Sequence, residues 1–238
     1  MMNKYFELSK NDFYSFLIIA PLVILYEFFG YINNFNSPLI IRNGADIYIK
    51  NFFQFFGYYS DIIYTFFLIF FLLFIFIRNK NLFLSSSINL VFLFGMIIES
   101  CIHSISLLGA MSISSSVLLM AGQTSYSIFE NIYLSIGAGV WEEILFRYTL
   151  ISISIIMLSK VFNINFFGNY ITAILISSSI FSWYHFMGPF GDSINFDIFM
   201  YRFIAGIILS LIFIFRGIGI AIYTHTIYDL YLVVFSNY

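Results

Sequence analysis

The sequence predicts an all-α fold: a polytopic bundle of about seven transmembrane helices around a polar cavity inside the membrane. Three observations carry this expectation. Only 9% of the 238 residues are charged while 61% are hydrophobic, whereas a soluble domain carries about 25% charged residues. The apolar residues come in long runs, and stretches of about 18 or more with few charges are candidate membrane spans. Most of the ionisable residues within those runs fall between Glu130 and Asp229. Charge at that depth is costly unless it faces a protein interior or a watery cavity.

The first span is expected over Phe13–Ile32, with Pro21 tolerated inside it. Ahead of it, Lys4, Glu7, Lys10 and Asp12 form a mixed-charge cap. No small-residue cleavage site follows, so the run reads as a retained span and not a signal peptide. In the connector, residues 44–58 read as an amphipathic interfacial helix, because Asp46, Lys50 and Gln54 recur every four residues among aromatic neighbours. Further spans are expected near Asp61–Ile77, Phe83–His103, Ile128–Leu158, Tyr170–Met187, Phe196–Phe215 and Ile218–Phe235. Gly217 and Gly219 mark a tight turn between the last two. The Ser-rich stretch Ser104–Gly122 extends the third span, re-enters, or makes an eighth helix. With seven spans and a cytoplasmic N-terminus, Lys4, Lys10, Arg78, Lys80, Lys160 and Arg216 lie inside, with only Arg42 and Lys50 outside. An eighth span would erase that bias, so seven is preferred. The chain reads as one integral membrane domain over residues 1–238, with a motif-bearing core over 128–235 and no internal repeat.

Other classes are excluded early. A formal net charge of −2 with scattered basic residues offers no nucleic-acid surface. A single cysteine, Cys101, supports neither an intrachain disulfide nor a zinc–thiolate cluster.

Glu142 and Glu143 are adjacent in the fourth span and, on an α-helix, point about 100° apart. Glu143 and Arg147 have the spacing and order of a favourable ion pair, which leaves Glu142 unpaired within its helix and suited to act as a general base. The plainer reading places both in an interhelical polar network. On the fifth span Phe181 lies one turn below His185, and on the seventh His225 and Asp229 share a face. A single histidine within a span is more often a helix–helix hydrogen-bonding residue than a catalytic one. Asp229 would hold the His225 tautomer, or both would ligate a metal. Three helices presenting acid–base groups to one interior form a stronger pattern than any of them alone. Glu99 and His103 repeat the spacing on the third span and read as structural. Glu27 and Arg202 read as a cross-helix pair, and Glu130 as a residue near a helix end.

In order, Glu142-Glu143-Ile144-Leu145-Phe146-Arg147, Phe181-Ser182-Trp183-Tyr184-His185 and His225-Thr226-Ile227-Tyr228-Asp229 resemble the CPBP family of intramembrane proteases, which includes CAAX proteases and bacteriocin-processing enzymes. That family is marked by Glu-Glu-x-x-x-Arg, Phe-x-x-x-His and His-x-x-x-Asn/Asp on three membrane helices. The resemblance implies hydrolysis of a peptide bond in a membrane-associated peptide or protein. It also implies that Glu142 and His185 activate water, that His225 and residue 229 support the oxyanion, and that Glu143, Arg147 and Phe181 assist. Asp229 departs from the prenyl-protein branch, which has Asn there, and an ionised Asp cannot itself donate to an oxyanion. The expected setting is a bacterial inner membrane.

The family is labelled metalloprotease, and His185, His225 and Glu142 would make a two-histidine, one-carboxylate zinc site. No compact His-Glu-x-x-His motif is present, so the sequence requires no cofactor and zinc stays an open alternative. Two rival functions use the same residues. One is a proton-coupled transporter, although the expected internal repeats are lacking; the other is a non-catalytic immunity or binding protein.

Overall fold

The structure, a computed structural model, describes residues 2–36, 41–80, 90–112, 127–161, 165–188 and 191–235. The described residues form helices and turns with no strand. In chain order the helices are α1 (Met2–Ser9), α2 (Asp12–Asn36), α3 (Gly44–Phe53), α4 (Ser60–Arg78), α5 (Leu90–Met111), α6 (Ile128–Val161), α7 (Phe166–Tyr184), α8 (Phe196–Arg216) and α9 (Ile218–Phe235). Among the described residues, α2, α5, α6, α7 and α8 are long and apolar enough to cross a membrane. α4 and α9 stand where the second and seventh spans are expected. The fold is an all-α polytopic bundle, and the protein is an integral membrane protein. α5 runs on to Met111, so the first part of Ser104–Gly122 prolongs the third span. The rest of the eighth-helix alternative falls on 113–126, outside the described residues.

Local chemistry sets the helix starts. Asn43, Ser127, Asn165 and Asn195 each turn a side-chain oxygen onto a backbone N–H of the first helical turn, satisfying donors that have no intrahelical partner. At Ser127 the cap is reciprocal: Glu130 accepts from the Ser127 N–H at 2.8 Å. Glu130 therefore lies at a helix end, as expected.

α9 is the hub. It packs against α2, α5, α6 and α8, and Ile218, Ile220, Ala221 and Ile222 are all buried along it. A helix apolar on every side belongs inside a bundle. It is reached from α8 through Gly217 alone, whose φ of +88° is left-handed backbone open to glycine at little cost. Gly219 is not part of that turn. It lies within α9, where an added Cβ would come within 2.9 Å of the Ser15 Cα, so its bareness lets α2 close on the hub.

The remaining charges are paired, though not all as the sequence implied. Glu99 binds Arg216 of α8 and accepts from Tyr5 at 2.7 Å, with His103 at 3.4 Å, a structural cluster tying α1 to α5 and α8. Glu27 and Arg202 do not pair with each other. Glu27 pairs with Arg42 at 2.9 Å and Arg202 with Asp192 at 2.5 Å. Each finds its partner in a connector that folds back onto its own helix end, which spacing along the spans could not reveal. The polar stripe of 44–58 turns inward only along α3, which ends at Phe53, and Gln54 beyond it is exposed. Asp46 is buried against Arg42 and Tyr26, while Phe52, Phe55 and Tyr58 are exposed. In a bilayer the aromatic side is the outward one.

α6 and α9 approach each other closely. A Cβ on Gly139 would fall 1.9 Å from the Thr226 hydroxyl and 2.8 Å from its backbone nitrogen. Gly139→Ala is expected to destabilise the detergent-solubilised protein by the about 1–3 kcal/mol typical of overpacking, read as a lower thermal midpoint. An unchanged midpoint would mean that α6 and α9 are not in this contact.

Candidate active site

The site is built where α6, the end of α7 and α9 meet beneath the start of α3. Within α6, residues Ala138–Ile151 take the wider π-type winding, a geometry frequent at functional positions. This stretch holds Gly139, Glu142, Glu143 and Arg147. The two carboxylates diverge, as expected of adjacent residues, and take different partners.

Glu143 and Arg147 are both fully buried. An Arg147 Nη1 to Glu143 Oε1 distance of 2.8 Å makes the expected ion pair. The same carboxylate oxygen also receives the Nδ1–H of His225 at 2.8 Å, because a carboxylate beside an arginine can only accept. Glu143 therefore holds the His225 ring. Asp229 lies farther away, 3.5 Å from His225 Nε2, beyond a good hydrogen bond. The Arg147 guanidinium lies over the Phe181 ring at 4.1 Å and reaches the Gly206 carbonyl on α8 at 3.5 Å.

Phe181 is a shared wall. Its ring meets His185 edge-on at 5.0 Å and His225 at 6.1 Å between centroids, so both imidazoles are packed against one aromatic. His185 does not continue the helix. It caps α7, with φ −69° and ψ −14°, and its Nδ1 is 2.8 Å from the Phe181 carbonyl. A carbonyl only accepts, so Nδ1 carries the proton and a neutral ring leaves Nε2 as a bare acceptor. That Nε2 stands 3.9 Å from Glu142 Oε2. Glu142, 4% exposed, accepts through its other oxygen from Asn43 Nδ2 at 2.9 Å.

The structure thus gathers Glu142, Glu143, Arg147, Phe181, His185, His225 and Asp229 around one interior. Sequence reasoning missed Asn43. Its signal was that of an ordinary helix cap, Asn43-Gly44 ahead of Asp46, and nothing in that pattern points across to residue 142. It also missed the approach of Gly44 to Tyr184, where an added Cβ would fall 2.1 Å from the Tyr184 hydroxyl.

The donors do not fit the zinc alternative. Among the described residues no three of His, Cys, Asp and Glu converge as a metal would need.

Removing one member of a buried pair leaves the other charge without compensation, typically at about 3–5 kcal/mol. Arg147→Ala and Glu143→Ala should each sharply reduce the yield of monodisperse protein, measured by size exclusion and thermal melting. Wild-type yield from Arg147→Ala would show that the Glu143–Arg147 pair does not hold the bundle.

Compared with curated proteins and with solved structures, the chain matches none. Residues 124–231 match a sequence family described as Rce1-like, type II CAAX prenyl endopeptidase Rce1-like. The matched segment includes every residue of the three motifs, whereas Asn43 and the first five helices lie outside it. By that match and its three ordered motifs, the segment 124–231 is similar to the Rce1-like group of CAAX proteases, in agreement with the CPBP family that the motifs resemble.

Proposed function

We propose that the protein is an intramembrane endopeptidase that hydrolyses a peptide bond in a membrane-associated protein or peptide, using water activated by Glu142 and His185. The observation that carries this reading is the gap between Glu142 Oε2 and His185 Nε2. The other polar atom of each group is tied down, on Asn43 and on the Phe181 carbonyl, so two acceptors face one another across 3.9 Å. A water roughly 2.8 Å from both can give one hydrogen to each. Its lone pair is then free for a carbonyl carbon.

The chemistry follows from those positions. Glu142 removes the water proton as the oxygen forms a bond to the scissile carbonyl carbon, and the carbonyl electrons move to its oxygen. His225 carrying protons on both nitrogens keeps one on Glu143 and offers the other, from Nε2, to that oxyanion. Asp229, at 3.5 Å, balances the charge of His225 without capturing the Nε2 hydrogen. Collapse of the tetrahedral intermediate breaks the C–N bond, and Glu142 returns its proton to the leaving amine. Burial of Glu142, Glu143 and His225 among apolar walls limits competing water. The Asp at 229, where the prenyl-protein branch has Asn, favours a substrate range not confined to prenylated proteins. The proposed setting is a bacterial inner membrane with the N-terminus cytoplasmic.

Loss of a positioned general base costs about 10² to 10⁴ in rate. Glu142→Gln should reduce cleavage by that factor while leaving folded yield intact. The measurement is turnover of membrane-associated peptides in proteoliposomes, with substrates found by comparing membrane proteomes of variant and parent strains. Wild-type turnover by the variant would end the assignment. Glu142-dependent solute flux without cleavage would favour transport.

A further inference from the structure

Asn43 stands at the meeting point of two tasks. Its backbone is extended, with φ −61° and ψ 140°, and its Oδ1 accepts the N–H of Ala45 at 2.9 Å to cap α3. That bond decides the orientation of the amide, since the oxygen alone can accept from an N–H. Nδ2 is thereby turned outward, and it donates to Glu142 Oε1 at 2.9 Å.

The residue is braced on several sides. Its own N–H donates to the Tyr26 hydroxyl at 3.1 Å, which donates in turn to Asp46 at 3.1 Å. Arg42 bridges Asp46 and Glu27 at 2.7 and 2.9 Å. Two glycines admit it. A Cβ on Gly137 would lie 2.9 Å from the Asn43 Cβ, and one on Gly44 would strike Tyr184, the neighbour of His185. The start of α3 is thus wedged between α6 and the end of α7.

A glutamate needs such a brace. The terminal torsion of its side chain is broad and roughly two-fold, so rotation readily exchanges the two oxygens. One fixed donor on Oε1 selects the rotamer that leaves Oε2 facing His185. We propose that Asn43 is a positioning residue of the hydrolytic site, acting through Glu142, so that the N-terminal half of the chain completes an active site whose motifs all lie in the C-terminal half. The proposal rests on the reading of Glu142 as the general base.

Asn43→Asp and Asn43→Ser separate this role from capping. Asp and Ser cap about as well as Asn, yet neither supplies the amide donor, and Asp sets a second carboxylate against Glu142. Thermal midpoint and monodispersity should stay near wild type in Asn43→Ser, which adds no charge. At the same time kcat should fall about 10-fold to 100-fold, more for Asp than for Ser, with KM little changed. On the Glu142→Gln background, Asn43→Ser should add no further loss of residual cleavage, because the brace has lost the base it positions. Wild-type kcat in both single variants, beside an inactive Glu142→Gln, would overturn the positioning role and leave the peptidase reading standing. Loss of folded protein in both would assign the contact to stability alone and overturn it equally. An active Glu142→Gln would instead overturn the peptidase reading itself.

Discussion

Burying the Glu143 carboxylate is the constraint around which the rest of the molecule is arranged. Its side chain and that of Arg147 are shut off from solvent, in a setting where an isolated charge would cost several kcal/mol. The cost is offset only if the carboxylate meets both Arg147 and the His225 Nδ1–H, each at 2.8 Å. It also requires Arg147 to rest on the Phe181 face and reach the Gly206 carbonyl. Those four partners lie on α6, α7, α8 and α9. Satisfying one buried charge therefore fixes the relative placement of four helices, and that placement brings Glu142 opposite His185.

Two neighbouring glutamates consequently do different work. Glu143 is consumed by structure and by orientation of His225, leaving little freedom for proton transfer. Glu142 lies on the adjacent face, with one oxygen on an amide and the other toward an imidazole. The wider winding of 138–151 keeps Glu143 on Arg147 while Glu142 turns toward α3. Close packing depends on small residues, as it commonly does between membrane helices. Gly139 lies against Thr226, and Gly206 leaves room for Ser178 and Phe181. Ser177 donates to the Phe146 carbonyl at 2.8 Å and Ser182 to the Phe199 carbonyl at 2.6 Å, joining α7 to α6 and α8 beside the site.

The N-terminal half supplies a cover with its polarity reversed from first appearance. In α3 Asp46 is buried and Phe53 packs into the core, while Tyr48 and Phe52 face outward. A lipid environment accepts Phe52 and Phe55 readily, while Asp46 is stabilised only beside Arg42 and Tyr26. The start of α3 is thus held firmly enough to present Asn43 at a fixed height above Glu142.

The sequence by itself determined the fold class, because long continuous apolar runs satisfy their backbone in lipid as helices, whereas the strands of a barrel alternate apolar and polar residues. It also determined the Glu143–Arg147 pair, since four-residue spacing on a helix is a local property. Tertiary structure decided the pairings between elements. Glu143 and not Asp229 holds Nδ1 of His225, Glu27 takes Arg42, Arg202 takes Asp192, and Asn43 reaches Glu142 across 99 positions of chain. None of these has a periodic signature, because hydrogen-bond partners on different elements are chosen by where helix axes cross and where connectors fold back. Both are settled by burying charge and apolar surface together.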